Sequence, residues 1–509
     1  MCSLQNCETF LNEKKKLIKK ITMTKNTVGW KFDNTYSKLP KSLLTKLSPH
    51  PVKAPILKLF NQTLSEEIGL DFSEISENEI ALIFSGNKLP NGSETIAQAY
   101  AGHQFGHFTL LGDGRALIIG EHLTKKKKRI DIQFKGSGRT PYSRNGDGKA
   151  AYSPMLREYI ISEAMHGLGI PTTRSLAVVK TGETVLRETA LEGAILTRVA
   201  SSHIRVGTFQ YAFLSKDKND LKILLEYTIN RHYPHLNDFK NPAIELLKIV
   251  MDKQIKLVTH WMRVGFVHGV MNTDNMTLSG ETIDYGPCAF MDRYDPKTVF
   301  SSIDYHGRYA YFNQPGITGW NLRRLAESLM PLISQKSDKA VEIASEVLNN
   351  FGEKYKIEWL GMMRKKLGLK GEELDDENLI VNLLSWMHIN QVDYTNTFNF
   401  LTSPNISEDK IYNDESFIDW KDQWKKRLKI NNNSLEESHK LMRASNPAVI
   451  PRNYKVQDAL NFASENNDLT KIHDLLKVLK NPYVDNSKLA NYQSVPKLGS
   501  EKYETFCGT

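Results

Sequence analysis

Along Arg129–Lys135 polar and apolar residues alternate without a break. Ile130, Ile132 and Phe134 share one face, and Asp131, Gln133 and Lys135 share the other. A period of two marks a strand, and this one predicts a half-buried strand whose polar face carries Lys135. Upstream, the apolar runs at 110–111 and 116–119 flank Gly112-Asp113-Gly114-Arg115, which predicts a strand–turn–strand unit. Lys125 to Lys128 separate two apolar runs and read as a solvated hairpin turn. Ser153-Pro154 opens a helix that runs to about Leu168, where Gly169-Ile170-Pro171 stops it. Glu158 lies inside that helix between Met155 and Ile161, and an acid beside an apolar stripe needs a partner. Residues 184–188 and 194–199 predict further strands, whereas 30–94 reads as loops and short helices. From Pro242 onward the period is helical: 246–264 forms an apolar helix ended by Gly265, and helices dominate 322–424. The polar tail from Asn481 is expected to be peripheral.

The block at 266–286 carries the sharpest chemistry. His268-Gly269, a polar loop, Asn275, a short strand and Asp284-Tyr285-Gly286 follow the layout of a kinase-like catalytic loop and metal loop. Mg²⁺ takes hard oxygen ligands beside nucleotide phosphates, so Asn275 and Asp284 are candidate ligands. A polar turn in which Asp284 caps a loop is the competing reading. Counting back from Asn275 in the pattern His-x-Asp-x-x-x-x-Asn puts Val270 where the catalytic Asp belongs, and a valine accepts no proton. Asp274 is the nearby carboxylate in the loop. Upstream, Lys135 on a strand followed by Glu158 on a helix matches a kinase small lobe, in which the lysine contacts phosphates and the glutamate orients it. Gly112-Asp113-Gly114-Arg115 offers backbone N–H groups and a guanidinium to a phosphate, although any hairpin turn reads this way. Arg198 and Arg205 taken singly are surface or ion-pair arginines; with a triphosphate present they become candidate clamps.

Composition narrows the setting. The chain has 509 residues, 40% hydrophobic, 25% charged and 9% aromatic, which excludes collagen-like, disulfide-dense and mostly disordered chains. Lys plus Arg is 67 against 58 for Asp plus Glu, a net charge of +9. That mild excess suits phosphate ligands, and nucleic acid is not an expected partner because no concentrated basic face is evident. No run approaches the ~18 apolar residues of a membrane span, so no membrane association is expected. No apolar core follows the N-terminal lysines, which argues against a secretory signal, and Glu8 and Glu13 weaken a mitochondrial leader. Cys2, Cys7, Cys288 and Cys507 form no CxxC pair, so no zinc site is implied and a reducing compartment is expected.

Several long strings together resemble the selenoprotein O family of protein adenylyltransferases, also called the YdiU family. They are Ala101-Gly102-His103-Gln104-Phe105-Gly106, Leu111-Gly112-Asp113-Gly114-Arg115, the run from Gln133 through Lys135 to Arg144, and the run from His268 to Asn275. Asp284-Tyr285-Gly286-Pro287, Asn446-Pro447 and Pro451-Arg452-Asn453 add to the likeness, which extends from about Val28 to the C-terminus. The resemblance implies an α+β, protein-kinase-like two-lobed fold: a mixed β-sheet N-lobe with one key helix, a mainly helical C-lobe, and N- and C-terminal extensions. The expected division is 1–27 as N-terminal extension, 28–200 as nucleotide-binding N-lobe, 201–480 as helical C-lobe with catalytic and metal loops, and 481–509 as a tail carrying Cys507.

The resemblance further implies a pseudokinase that binds ATP turned around in its cleft and transfers AMP to Ser, Thr or Tyr hydroxyls of proteins, releasing pyrophosphate. Lys135, Arg198 and Arg205 would bind phosphates, and Gly112, Gly114, Arg115, Asp147 and Gly148 would complete the nucleotide site. Asn275 and Asp284 would hold Mg²⁺ or Mn²⁺, Asp274 would accept the proton, and Glu158 would partner Lys135. Family members carry selenocysteine or cysteine near the C-terminus, and in some the tail cysteine bridges to the activation segment; a Cys288–Cys507 disulfide is the corresponding expectation here. A monomer is expected, cytoplasmic, or mitochondrial in a eukaryote. A kinase transferring the γ-phosphate and a catalytically silent ATP-binding scaffold are the alternatives.

Overall fold

The computed structural model describes residues 28–402, 410–430, 434–484, 489–496 and 503–505. The expected extension at 1–27 and Cys507 lie outside them. The first half of the chain builds a nine-stranded antiparallel sheet: β1 (Leu44–Lys46), β2 (Ile56–Phe60), β3 (Ile96–Gln104), β4 (His107–Gly112), β5 (Ala116–Leu123), β6 (Arg129–Lys135), β7 (Ala150–Ala151), β8 (Arg174–Leu186) and β9 (Ala190–Ala200). The order is β1-β3-β5-β6-β9-β8-β2, with β4 paired to β3 and β7 to β9. The expected strand–turn–strand unit corresponds to β4, the turn at 113–115 and β5, which each pair with β3 and not with one another, and the two later strands begin earlier and run longer than expected. Residues 30–94 contribute the edge strands β1 and β2 as well as helices, which corrects the expectation of loops and short helices. Strands of three and five residues hold too little periodicity to be read, and their pairing with β3 and β8 decides their form.

Alternation sends side chains to two different cores. Ile132, Phe134 and Ile195 pack with Leu64, Ile80 and Phe84 from helices Gln62–Ile68 and Glu77–Phe84 on one side. Val178, Ala194 and Leu196 pack on the other side with Leu156, Ile160 and Ala164 of helix Tyr152–Gly167. Because both sheet faces are covered, the polar face of β6 is not solvated: Asp131, Gln133 and Lys135 are all buried. Asp131 accepts from Arg231 Nη2 at 2.6 Å and pairs with His203 Nδ1 at 3.0 Å, while Lys135 finds carboxylates. Helix Tyr152–Gly167 starts one residue before Ser153, with Ala151 at its N-cap and no side-chain cap bond, so Pro154 sits in the first turn, where its missing N–H costs nothing.

The second half is helical. Helix Pro242–Val264 ends at Gly265, whose φ of 72° supplies the left-handed cap. The antiparallel pair β10 (Phe266–Val267) and β11 (Ala289–Phe290) brackets the block at 268–288, and helices run from Gln314–Ile333 to Thr470–Leu479. The described residues therefore combine an antiparallel sheet in the N-terminal part with a helical C-terminal part. Among them, no helix is long and apolar enough to cross a membrane.

Two distant segments brace the bracketed block. Asn453 Oδ1 accepts the Phe290 N–H at 3.0 Å and its Nδ2 donates to the Phe290 carbonyl at 2.7 Å. Arg452, 1% exposed, reaches Asp292 at 2.7 Å and Asp393 at 2.5 Å. The tail is not peripheral where it is described: Thr505 N–H donates to the Phe300 carbonyl at 2.8 Å, and Thr505 is buried. Removing Arg452 leaves two carboxylates without their guanidinium, so Arg452→Ala is expected to cost about 3–5 kcal/mol. A lowered urea midpoint with an unchanged m-value checks it; an unchanged midpoint contradicts it.

Candidate functional site

Strand register sets the charge geometry. Gln133 of β6 faces Arg198 of β9, and Lys135 lies two residues further on the same face. Helix Tyr152–Gly167 covers that face and presents Glu158. Lys135 Nζ lies 2.8 Å from Glu158 Oε2 and 2.7 Å from Asp284 Oδ1. Arg198 contacts the same two carboxylates: its Nε donates to Glu158 Oε1 and its Nη2 lies 3.1 Å from Asp284 Oδ1. Burial drives the Lys135 ammonium down, and neighbouring Arg198 adds to that. Burial also pushes Glu158 and Asp284 upward, but the two cations outweigh it and hold both carboxyls below their usual range. Asp284 sits at φ 67°, a left-handed conformation that aims its carboxylate at the pair of cations.

Beside this cluster lies a recess of about 600 Å³. Gly112, Gly114, Arg115, Asp147, Gly148 and Asp274 line it, so six of the residues expected in the site share one cavity. Gly136 N–H donates to the Arg115 carbonyl at 2.7 Å, tying the recess to the residue after Lys135. Arg205 stands apart from Lys135 and Arg198: its guanidinium lies 4.1 Å over the Tyr100 ring and 3.7 Å from Asp113 Oδ1. Asp147 is held by Arg187 at 3.0 Å. The Asn275 Nδ2 donates to the Val270 carbonyl at 3.1 Å, which directs its amide oxygen elsewhere. An amide oxygen and a carboxylate form a hard-oxygen donor pair that fits Mg²⁺ or Mn²⁺, with phosphate and water oxygens completing the sphere. Among the described residues no cluster of three His, Cys, Asp or Glu suits a metal.

Asp274 is buried on a short 3₁₀ turn, Thr273–Asn275, and its Oδ1 has no hydrogen-bond partner. Burial pushes its carboxyl up to about 6, against the pull of Arg205. Its place depends on Gly102: a Cβ there would stand 2.1 Å from Asp274 Oδ1. Val270, at the usual base position, is buried and offers only backbone bonds.

Residue-level reasoning missed several contributors. No local pattern distinguishes Asp113 between its glycines, yet its carboxylate accepts the Gln98 N–H at 3.0 Å and lies 3.7 Å from Arg205, and its carbonyl accepts the Thr140 hydroxyl at 2.7 Å. Arg187, Tyr142 and Arg144 also line the recess. The signal for Gly102 was its place in the Ala101-to-Gly106 string. Cys288 is fully buried, its Sγ donates to the Tyr285 carbonyl at 3.4 Å, and burial lifts its thiol up to about 12. A thiol so held is a poor exchange nucleophile, which weighs against the expected bridge to Cys507.

A buried Lys–Glu–Arg–Asp cluster beside a polar recess with a raised carboxyl is the equipment of a nucleotide-dependent transferase. Comparison with known proteins agrees. A family model described as protein adenylyltransferase SelO matches residues 26–480. The protein nucleotidyltransferase YdiU of Pelagibacter ubique is 58% identical over 483 residues, covering 95% of this chain and 100% of the relative. Its namesake in Nitrosococcus oceani is 58% identical over 487 residues (96% and 99%), and that of Bacillus cytotoxicus 54% over 481 (94% and 98%). The chain belongs to the protein adenylyltransferase SelO family, and its enzyme class is protein nucleotidyltransferase. Gly102→Ala is expected to displace Asp274 and, on the proton-acceptor role proposed below for Asp274, to lower the transfer rate by roughly 10²-fold or more, while calorimetric ATP affinity changes little. Full activity in this variant would show that Asp274 tolerates displacement.

Proposed function

We propose that this chain transfers AMP from ATP to Ser, Thr or Tyr hydroxyls of proteins, with the sheet part (28–200) and the helical part (201–480) acting as the two lobes of a kinase-like fold. One observation supports the assignment of roles: within the 268–275 loop it is Asp274, and not position 270, whose carboxylate lines the recess, whereas Asp147, the other carboxylate there, is paired with Arg187. Lys135, Arg198 and Arg205 bind phosphate oxygens, and Gly112, Gly114, Arg115, Asp147 and Gly148 receive the rest of the nucleotide. Asn275 and Asp284 would hold Mg²⁺ or Mn²⁺, which supplies charge neutralisation to the triphosphate. Glu158 positions Lys135 and Arg198.

In this reading the acceptor oxygen attacks the α-phosphorus. Its O–P bond forms as the bond from that phosphorus to the bridging oxygen of the β-phosphate breaks. The electron pair leaves with pyrophosphate, whose growing charge faces fixed cations. Asp274 takes the hydroxyl proton.

Incubation with α-labelled and with γ-labelled ATP separates the possibilities. Label from the α position alone is expected on protein; label from the γ position alone makes the chain a kinase, and neither makes it a scaffold.

The proton acceptor gives a second test. Asp274 must be ionised to act, and its carboxyl is raised to about 6. Transfer is therefore expected to be weak below that pH and to rise through it as the proton leaves. Asp274→Asn is expected to remove this limb and most of the rate. A profile unchanged in Asp274→Asn excludes it as the base.

A further inference from the structure

A second cavity among the described residues, about 1110 Å³, is a groove on the far side of the β3–β4 turn. Phe105, Tyr305, Phe312, Trp359 and Val381 are among its walls. Tyr305 is 85% exposed, Phe312 69% and Val381 45%. Apolar residues scattered singly over a surface are ordinary, whereas a contiguous run in a concavity marks a contact surface.

The groove and the recess share a wall. Gln104 lines the recess and Phe105 the groove. That wall is fastened to the loop bearing Asp274. His103 N–H donates to Thr273 Oγ1 at 2.8 Å, Phe105 N–H donates to Asn272 Oδ1 at 3.0 Å, and the Tyr309 hydroxyl donates to the same Asn272 oxygen at 2.6 Å. A segment lying in the groove therefore passes beside the Asp274 loop.

The charges of the groove identify its occupant. Lys356 is paired with Glu377 at 2.8 Å, and His388 lies 3.8 Å from Asp295. Asp304 spends its carboxylate on the Arg308 and Tyr309 backbone N–H groups, each at 2.8 Å. Arg308 forms no ion pair among the described residues, and its buried Nε has no hydrogen-bond partner. Its guanidinium lies 4.8 Å from the centre of the Trp320 ring and 5.7 Å from that of Tyr309, against Gly106 at the turn. Stacking of this kind fixes a guanidinium while leaving its edge for a carboxylate.

We propose that this groove docks the acceptor protein, and that it selects a segment carrying an acidic residue for Arg308 and a bulky apolar side chain near the modified hydroxyl. The proposal rests on the adenylyltransferase reading for the word acceptor, but the groove itself is testable without transfer. Arrays of short synthetic peptides are probed with the full-length chain in the absence of nucleotide, then with α-labelled ATP and a divalent metal. Binding is expected to favour peptides with Asp or Glu beside Phe, Leu, Ile or Trp. Arg308→Glu should reverse the charge preference toward Lys and Arg. Val381→Asp, at an exposed position, should weaken apolar peptides about tenfold, the loss of one interfacial anchor. ATP affinity should be unchanged in both variants.

Arrays that bind alike with Arg308 and with Glu at that position overturn the proposal, as do arrays that stay blank. Dimerisation lost in Val381→Asp on blank arrays would assign the groove to a second copy instead. Selective binding without AMP incorporation would uphold the groove and remove the transfer reading. AMP incorporation indifferent to Arg308→Glu would do the reverse.

Discussion

Two cations and two carboxylates buried in one place govern this structure. Lys135 and Arg198 each touch both Glu158 and Asp284. Taking Lys135, Arg198 and Glu158 out of water is costly, and the arrangement persists because every charge of the cluster finds two opposite ones. Glu158 comes from a helix packed on the sheet, so its place is fixed. Asp284 sits in a loop and remains partly exposed, with 30% of its side chain accessible. The cluster is therefore asymmetric: one carboxylate is structural and the other can be drawn away. A triphosphate offers oxygens to the two cations, and a divalent ion offers Asp284 a new partner. In this account the exchange of one set of partners for the other is what ligand binding does.

The remaining architecture keeps that exchange local. β6 and β9 place the cations on one face, and the two hydrophobic cores on either side of the sheet prevent it from twisting out of register. The loop of Asp284 is bracketed by β10 and β11, then braced by Asn453 and Arg452 from the C-terminal helices. Asp274 belongs to a different arrangement, a carboxylate without a cation at contact distance, which is why its carboxyl moves upward while those of Glu158 and Asp284 move downward. In the proposed reading, opposite shifts in neighbouring acids separate the proton-accepting role from the charge-pairing one.

Much of this was legible from residues alone. The alternation in β6 located Lys135 and its face, and the helical period located Glu158. What the alternation could not say is whether the polar face met water. That depends on Arg231, His203 and Glu158, which arrive from other elements, so a strand that reads as half-buried is buried on both sides. β1 and β2 escaped notice because pairing, not periodicity, makes them strands. Gly102 and Asp113 escaped because each is required by a partner distant in sequence, Asp274 and Arg205 respectively. Asp147 and Gly148 enter only through resemblance to a family; no local pattern points to them. The bridge from Cys288 was the expectation least supported by its surroundings, since a sequence does not reveal that a thiol is enclosed.

The exchange of partners at Asp284 is open to one direct measurement: calorimetric titration of ATP into the unaltered chain and into Asp284→Asn, each with and without divalent metal. The amide removes the competitor for Lys135 and Arg198 together with a proposed metal ligand. The account predicts that Asp284→Asn binds metal-free ATP at least as tightly as the unaltered chain and gains little when metal is added. Loss of metal-free ATP binding in Asp284→Asn, or metal enhancement as large as in the unaltered chain, would contradict it.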